Sequence, residues 1–192
     1  MSNIDRWFPI ARSEEVVPRH VVQAQLLGQE IALWRDDGGA LNAWENRCPH
    51  RGVRLSIGFN TGTDLRCQYH GWRFATGSGQ CTYIPAHPNQ KPAATMRATP
   101  YACAERHGFV WANLGLRAEP SALPAVSAPR ATTLRSLYVA APVSAVSAAL
   151  ALAFEAVAHD AFTLTAPPAD DFDAVTFFLQ PVTESQSVVH GL

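Results

Sequence analysis

The sequence lacks a strong charge of either sign. Its 192 residues carry a formal net charge of −1, and Lys and Arg form no cluster along the chain. A nucleic-acid binder derives its affinity from neutralising phosphates, so this balance argues against that class of protein. The partners are therefore expected to be proteins or small molecules.

The sequence also lacks the segments that direct a chain into or across a membrane. Its first residues contain neither the basic region nor the apolar core of a signal peptide. The apolar run 139–158 is interrupted by Pro142 and Glu155, and much of it is Ala, which contributes little in hydrocarbon. Its apolar spacing predicts instead a packed helix over 144–159 with Ser144 as N-cap. We expect a cytoplasmic protein with no membrane span.

Cysteine is scarce, but two of the four cysteines lie in short loops that also contain histidine. The first loop reads Cys48-Pro49-His50-Arg51-Gly52, and the second reads Cys67-Gln68-Tyr69-His70-Gly71-Trp72. Two thiolates and two imidazoles are the ligands of a Rieske centre, in which two Cys hold one iron and two His hold the other. The pattern predicts one 2Fe-2S cluster bound by Cys48, His50, Cys67 and His70.

Tetrahedral zinc is the alternative for two Cys and two His. Zinc motifs usually pair Cys with Cys and His with His, however, and they lack the glycine that follows each loop here at Gly52 and Gly71. The remaining cysteines, Cys81 and Cys103, are expected to be small buried side chains, with a disulfide between them as the alternative.

The two loops resemble the Rieske domain of the Rieske non-haem iron oxygenases, in particular the terminal subunits of monooxygenases and O-demethylases. Further similar runs are Trp7-Phe8-Pro9, Leu33-Trp34-Arg35, Gly79-Gln80-Cys81, Ile84-Pro85-Ala86 and Gly108-Phe109-Val110-Trp111. The Rieske proteins of respiratory complexes carry an extra Cys in each loop, where this chain has Val53 and Tyr69. The resemblance therefore favours the oxygenase type and covers residues 5–116.

Short alternating segments separated by Gly-rich turns predict a mainly β protein. We expect an antiparallel Rieske-type domain over 1–116, with a hairpin formed by 20–34 and 40–45 and with strands at 63–67, 81–84 and 110–114. A Pro- and Ala-rich linker should span 117–131. Residues 132–192 should form a short α/β segment, with strands at 134–140, 172–180 and 186–190, that resembles part of an oxygenase catalytic domain.

The family's catalytic iron is held by two His and one carboxylate, in a motif resembling Asp-x-x-His-x-x-x-x-His. No two of the seven histidines here lie within six residues of each other, and none has Asp or Glu three positions earlier. Mononuclear Fe(II) is therefore not expected, unless His159 and His190 meet in space with Asp160 or Glu184.

Two functional hypotheses of different class follow from the resemblance. The first is an electron-transfer protein that receives electrons from a reductase or ferredoxin and delivers them to the mononuclear iron of an oxygenase partner subunit. Its C-terminal segment would then serve in docking or in forming an oligomer. The alternative is a terminal oxygenase that oxidises a small aromatic or methylated substrate. A redox-sensing or purely structural cluster is a third, weaker hypothesis.

The resemblance also implies roles for individual residues. Cys48 and Cys67 would bind the buried iron, whereas His50 and His70 would bind the outer iron and present an imidazole edge to the partner. Trp72 would cover the cluster, with a plain core role as the alternative. Arg51 is expected to fix its loop by donating hydrogen bonds.

Overall fold

The computed structural model describes residues 3–115, 123–124, 126, 131–170 and 173–192. These residues form fifteen strands and one α-helix. Among them, no helix is long and apolar enough to cross a membrane. The elements are β1 (Phe8–Arg12), β2 (Val21–Leu26), β3 (Gln29–Arg35), β4 (Leu41–Glu45), β5 (Phe59–Asn60), β6 (Asp64–Arg66), β7 (Arg73–Ala75), β8 (Cys81–Tyr83), β9 (Pro100–Arg106), β10 (Phe109–Asn113), β11 (Leu137–Val139), α1 (Val143–Phe154), β12 (Val157–Asp160), β13 (Thr163–Ala166), β14 (Val175–Thr183) and β15 (Gln186–Gly191).

The strands form three antiparallel sheets, as the predicted mainly β class requires. The first has six strands in the order β1-β10-β9-β4-β3-β2, and the second has four in the order β5-β6-β7-β8. The third has five strands in the order β11-β15-β14-β13-β12. Neighbouring strands are mostly consecutive in sequence, because short turns suffice to connect antiparallel partners.

The six-stranded and four-stranded sheets share a hydrophobic core that extends to the two Cys-His loops. Strand β3 contributes alternate residues to this core and to a second core on its other face, which is the period of two that a buried strand shows. The core next to the loops contains Ala32, Trp34, Trp44, Cys48, Leu55, Leu65, Cys67, Phe74, Cys81, Ile84 and Ala98.

The predicted hairpin lies where the sequence placed it, but residues 20–34 are two strands and not one. The chain turns at Leu27 and Gly28, whose φ angles of 52° and 81° are both positive. Leu is an unfavourable residue for this two-residue turn. Backbone hydrogen bonds from Leu27 N to Pro181 O (2.8 Å) and from Gly28 N to Val182 O (2.7 Å) hold the turn against β14, which the local sequence could not reveal.

The C-terminal segment contains the predicted strand-helix-strand order but more strands than expected. Helix α1 ends at Phe154 because Glu155 adopts a left-handed conformation with φ of 53°, and residues 157–160 form β12. The prediction of a helix to residue 159 was therefore wrong. The N-cap prediction was also wrong, since the helix begins after Pro142 and not at Ser144.

The third sheet packs against the first through an aromatic cluster. Trp111 and Phe178 meet edge to face with ring centroids 5.0 Å apart, and Phe8 meets Phe162 in the same way at 5.0 Å. The predicted linker 117–131 lies outside the described residues except for 123–124, 126 and 131. Of these, Leu123 is buried in the same cluster.

Candidate metal centre

The first Cys-His loop is closed by its own backbone. Gly52 N donates to Cys48 O at 2.8 Å, and Cys48 N donates to Val53 O at 2.8 Å. Gly52 has φ of 73°, a left-handed conformation that glycine adopts without steric cost. The buried Asn46 ties the loop to the segment that follows it, because its side chain donates to Ser56 Oγ at 2.9 Å and accepts from Ser56 N at 2.7 Å.

The second loop, between β6 and β7, repeats the same backbone arrangement. Gly71 N donates to Cys67 O at 3.0 Å, and Cys67 N donates to Trp72 O at 2.8 Å. Gly71 has φ of 69°, and a Cβ at this position would lie 3.1 Å from Pro85 Cγ. The glycines that distinguished these loops from zinc motifs in the sequence thus shape the two loops identically.

The four predicted ligands lie together at the tips of the two loops, in two layers. Cys48 and Cys67 are buried, each with 3% of its surface exposed. Above them, the His50 and His70 rings lie with their centroids 4.9 Å apart, His50 half-buried and His70 exposed. Inner thiols below outer imidazoles are the arrangement expected for one iron held by Cys and one held by His.

The electrostatics of the thiol pair favour anionic sulfur. A hydrogen bond shared with Cys48 lowers the pKa of Cys67 to about 6, and the same bond raises the pKa of Cys48. Two backbone N–H groups point at each sulfur, from residues 50–51 at Cys48 and from residues 69–70 at Cys67, and they favour the thiolate at both, although the shared hydrogen bond and burial leave the pKa of Cys48 raised. Since metals bind the thiolate, these donors prepare both sulfurs as ligands.

The donor set fits a 2Fe-2S cluster better than a single zinc ion. Zinc requires all four donors to converge on one ion, whereas each iron of a Rieske cluster takes two protein donors. Partial burial lowers the pKa of His50, and the charges of His70 and Arg51 lower it further, which favours the neutral imidazole that ligates metal.

Aromatic rings from the second loop hold both imidazoles. Trp72 stacks on His50 with centroids 4.3 Å apart and an interplanar angle of 9°, and Tyr69 lies 3.8 Å from His70. The expected hydrogen bond from Arg51 comes from its backbone N–H, which points at the Cys48 sulfur, and not from its side chain. Its exposed guanidinium donates no hydrogen bond to any described residue, and the loop is instead fixed by backbone bonds and Asn46.

A pocket of about 270 Å³ adjoins the first loop, and the sequence alone did not reveal it. Arg47, His50, Arg51 and Arg97 line it, together with Glu45. Arg97 is distant in sequence and lies beside the first loop only in the folded chain, which is why the loop motifs gave no sign of it. The excess of Lys and Arg over Asp and Glu in segment 46–100 is the sequence feature that could have indicated a basic pocket.

The remaining histidines and cysteines do not join this site. His159 lies on β12 and contacts Thr165 Oγ1 at 2.8 Å, whereas His190 is buried on β15, with β14 and β13 between those strands. The two histidines therefore do not meet, contrary to the possibility raised by the sequence. Cys81 and Cys103 belong to different sheets and carry free thiols, so the disulfide alternative is not formed.

Comparisons with known proteins agree with this geometry. Residues 6–100 match the family described as Rieske [2Fe-2S] domain. The chain is 55% identical over 113 residues to the oxidoreductase NdmD of Pseudomonas putida, a match that covers 59% of this chain and 19% of that protein. It is 30% identical over 134 residues to methylxanthine N1-demethylase NdmA of the same organism, covering 67% of this chain and 38% of NdmA.

Solved structures extend the likeness beyond the matched domain. A structure of dicamba monooxygenase superimposes with a TM-score of 0.82 at 21% identity, covering 97% of this chain and 75% of that one. A structure of NdmA gives a TM-score of 0.78 at 19% identity, covering 98% and 72%. At such identities the likeness establishes the fold alone.

The chain therefore belongs to the Rieske [2Fe-2S] domain family through residues 6–100, and its relatives are components of oxygenase systems. A Rieske domain implies a 2Fe-2S cluster. The chain spans 19% to 38% of the length of the curated relatives named above, so their whole activities do not transfer to it directly.

Proposed function

We propose that this chain is a Rieske-type electron-transfer protein, the iron-sulfur component of an oxygenase system. Cys48 and Cys67 would hold the inner iron, and His50 and His70 would hold the outer iron. The observation that carries this proposal is the layering of two buried thiols beneath two surface imidazoles. When bound, the cluster supplies reversible one-electron chemistry at a potential of roughly −150 to +300 mV.

The residues around the ligands perform three tasks in this proposal. The backbone N–H groups of residues 50–51 and 69–70 stabilise the sulfur ligands as thiolates. The buried core beneath the loops excludes water from the sulfurs. The exposed edge of His70 gives a partner protein a contact at the outer iron, because an imidazole bound through one ring nitrogen can donate from the other.

The electron donor would be a reductase or ferredoxin, and the acceptor would be the mononuclear iron of an oxygenase partner subunit. We propose the domain organisation given above, with residues 1–116 as the cluster domain and residues 132–192 as a docking or oligomerisation segment. The C-terminal sheet and helix α1 support this, since Tyr138 is 83%, Leu152 is 88% and Val157 is 64% exposed. Large apolar side chains exposed to this extent favour burial in an assembly.

A terminal oxygenase acting on a small aromatic or methylated substrate is the second candidate. One observation favours it, namely that the fold of dicamba monooxygenase covers 97% of this chain, including the C-terminal sheet. Against it stands the absence, among the described residues, of any three-ligand cluster of His, Cys, Asp or Glu. The two candidates differ in iron content, with two irons per chain for the first and three for the second.

Metal and sulfide analysis of purified protein, together with EPR of the reduced form, tests the proposal. We expect two irons and two sulfides per chain and the rhombic EPR spectrum of a mixed-ligand cluster. His70→Ala should abolish that spectrum, whereas His87→Ala, on an exposed loop outside the site, should leave it unchanged. Zinc in place of iron, or an intact cluster in His70→Ala, would refute the ligand assignment.

Substrate turnover separates the electron-transfer protein from the terminal oxygenase. The chain supplied with a generic reductase and added Fe(II) should accept one electron per cluster without oxidising aromatic or methylated test compounds. Stoichiometric product from the chain alone would refute the electron-transfer assignment and establish the second candidate.

A further inference from the structure

The cluster-bearing part of the chain has a charge opposite to that of the remainder. Residues 46–100 contain seven Lys and Arg and one Asp or Glu, a formal charge of +6. Since the whole chain carries −1, the other residues together carry −7. A net charge near zero thus conceals a strongly basic segment around the two Cys-His loops.

Most of this positive charge is not neutralised within the protein. Of the six ion pairs among the described residues, one involves the basic segment, between Arg54 and Glu30. Arg47 and Arg51 are exposed, and neither guanidinium forms an ion pair with a described residue. Arg97 donates to the backbone carbonyl of Ser78 at 3.1 Å, which orients its guanidinium without cancelling its charge.

Three arginines of this basic segment line one pocket beside the cluster ligands. Arg47, Arg51 and Arg97 line the pocket of about 270 Å³ next to the first loop, and Glu45 is the one acidic side chain in its lining. His50 lines the same pocket. An arginine fork can bind a carboxylate through two hydrogen bonds, so a cavity lined by arginines suits that anionic group.

We propose that this pocket receives a carboxylate from an acidic surface of a protein redox partner and thereby places the partner against His50. This inference rests on the proposed electron-transfer function. Charge complementarity of this kind steers a partner toward the correct orientation and raises the rate of association.

The geometry favours a protein over a nucleic acid as the partner. The pocket directly adjoins His50, one of the two imidazoles proposed to hold the outer iron. The exposed ring of Tyr69, 57% accessible, adds an aromatic contact at the rim of the ligand site. Nucleic-acid binding would give no reason for the arginines to surround a redox ligand.

Two outer-sphere oxidants, one anionic and one cationic, test the electrostatic potential at the site. The reduced protein loses one electron to ferricyanide, giving ferrocyanide, or one electron to tris(phenanthroline)cobalt(III), giving the cobalt(II) complex. Stopped-flow rates should show ferricyanide reacting faster at low salt, and this preference should weaken as salt is added. Arg51→Glu should lower the rate of oxidation by ferricyanide about twentyfold at 0.01 M salt and about threefold at 0.15 M. These values assume a distance of about 10 Å between residue 51 and the bound ferricyanide. The rate of oxidation by the cobalt complex should instead increase in this variant.

Matched variants separate the pocket from overall charge. Arg135→Glu changes the net charge equally but lies in the C-terminal segment, and it should leave both rates near the wild-type values. Arg51→Lys keeps the charge and should keep the ferricyanide rate. Equal effects of Arg51→Glu and Arg135→Glu, or no preference of the wild type for ferricyanide, would overturn the proposal.

Competition experiments identify the chemistry of the partner. Polyglutamate should slow the ferricyanide reaction, whereas free glutamate at equal carboxylate concentration and ionic strength should not, because only a polymer imitates an acidic protein surface. Stronger competition by duplex DNA than by polyglutamate at equal charge would overturn the choice of a protein partner. Visible absorption and EPR are recorded first, so that a missing cluster refutes the proposed function itself and not the docking site.

Discussion

His190 should make the stability of this fold depend on pH. Its ring is 2% exposed, and burial lowers its pKa to about 4. Nε2 lies 2.8 Å from Gln180 Oε1, while Gln180 Nε2 donates to Gln25 O at 2.7 Å. Gln180 therefore accepts from the ring, and Nε2 carries the proton. Nδ1, 2.9 Å from Ser136 Oγ, accepts from the hydroxyl of Ser136.

The sign and size of the effect follow from the two pKa values. In the unfolded chain the imidazole binds a proton below pH 6.5, whereas in the folded chain it stays neutral until pH is near 4. The unfolded state thus holds more protons between these values, and the free energy of unfolding falls as pH is lowered through that window. The slope is at most about 1.4 kcal/mol per pH unit, and the loss between pH 7 and pH 5 is about 2 kcal/mol.

Urea denaturation followed by tryptophan fluorescence at pH 7, 6, 5.5 and 5 measures this dependence. His190→Gln should be less stable at pH 7 by about 2 kcal/mol, since it loses the buried ring, but its stability should fall less steeply with acid. The wild-type and variant curves should therefore converge by pH 5. Ser136→Ala retains the buried imidazole and should keep most of the wild-type slope.

Two results would refute this reasoning. One is a constant stability difference between wild type and His190→Gln from pH 7 to pH 5. The other is a His190 resonance, in protein labelled with carbon-13 at histidine, that titrates near pH 6.5. The carboxyl groups whose pKa values are lowered, Glu105 and Asp160, lose their stabilisation below about pH 4.5 and so act outside the measured range. The lowered pKa values of His50 and Cys67 affect the wild type and His190→Gln alike and cancel in the difference between them.

Three further predictions concern turns, a thiol and the site. Gly79→Ala should lower the free energy of unfolding by about 2 kcal/mol or more, because a Cβ would lie 2.4 Å from Ala98 O; Gly77→Ala, with a similar φ and open space, should cost about 1 kcal/mol. Equal losses in urea denaturation would contradict the steric argument. Cys103 should react with iodoacetamide at pH 8 about a hundredfold more slowly than a free thiol, since burial raises its pKa to about 11, and peptide mass spectrometry measures this rate. Trp72→Ala should shift the EPR spectrum and midpoint potential by releasing the stacked His50 ring, while Trp72→Phe should preserve both; identical spectra in all three proteins would contradict a positioning role.

The ligand loops were predictable because their chemistry is encoded locally. Cys48 and His50 are two residues apart, and Cys67 and His70 are three apart, so each short loop carries its own donors and its own glycine. The structure brings these four side chains together, which sequence spacing could suggest but not establish. Iron ligation by them remains a prediction until the metal analysis is done.

Features that depend on distant contacts were not predictable. Strand β9 was missed because its residues show little alternation of burial, although it pairs with the adjacent strand β10. Strand β13 was missed although its burial alternates and it pairs with its sequence neighbours β12 and β14, because the helix was predicted to run over the residues of β12. The end of α1 was misplaced, since residues 156–158 continue an Ala-rich apolar pattern and only the backbone conformation of Glu155 ends the helix. The arginine pocket was missed because Arg97 joins the loop through tertiary structure.

The six-stranded sheet separates the cluster loops from the contacts that carry His190. On β3, Ala32 and Trp34 face the core that includes Cys48, whereas Ile31 and Leu33 face the opposite core. His190 bonds instead to β14, whose Gln180 reaches the carbonyl of Gln25 on β2. Since no ligand loop contributes to that hydrogen-bond chain, His190→Gln should lower stability while leaving the EPR spectrum and potential of the reduced protein at their wild-type values. A shifted potential in this variant would show that the C-terminal sheet acts on the cluster, and the two cores would then have to be treated as one energetic unit.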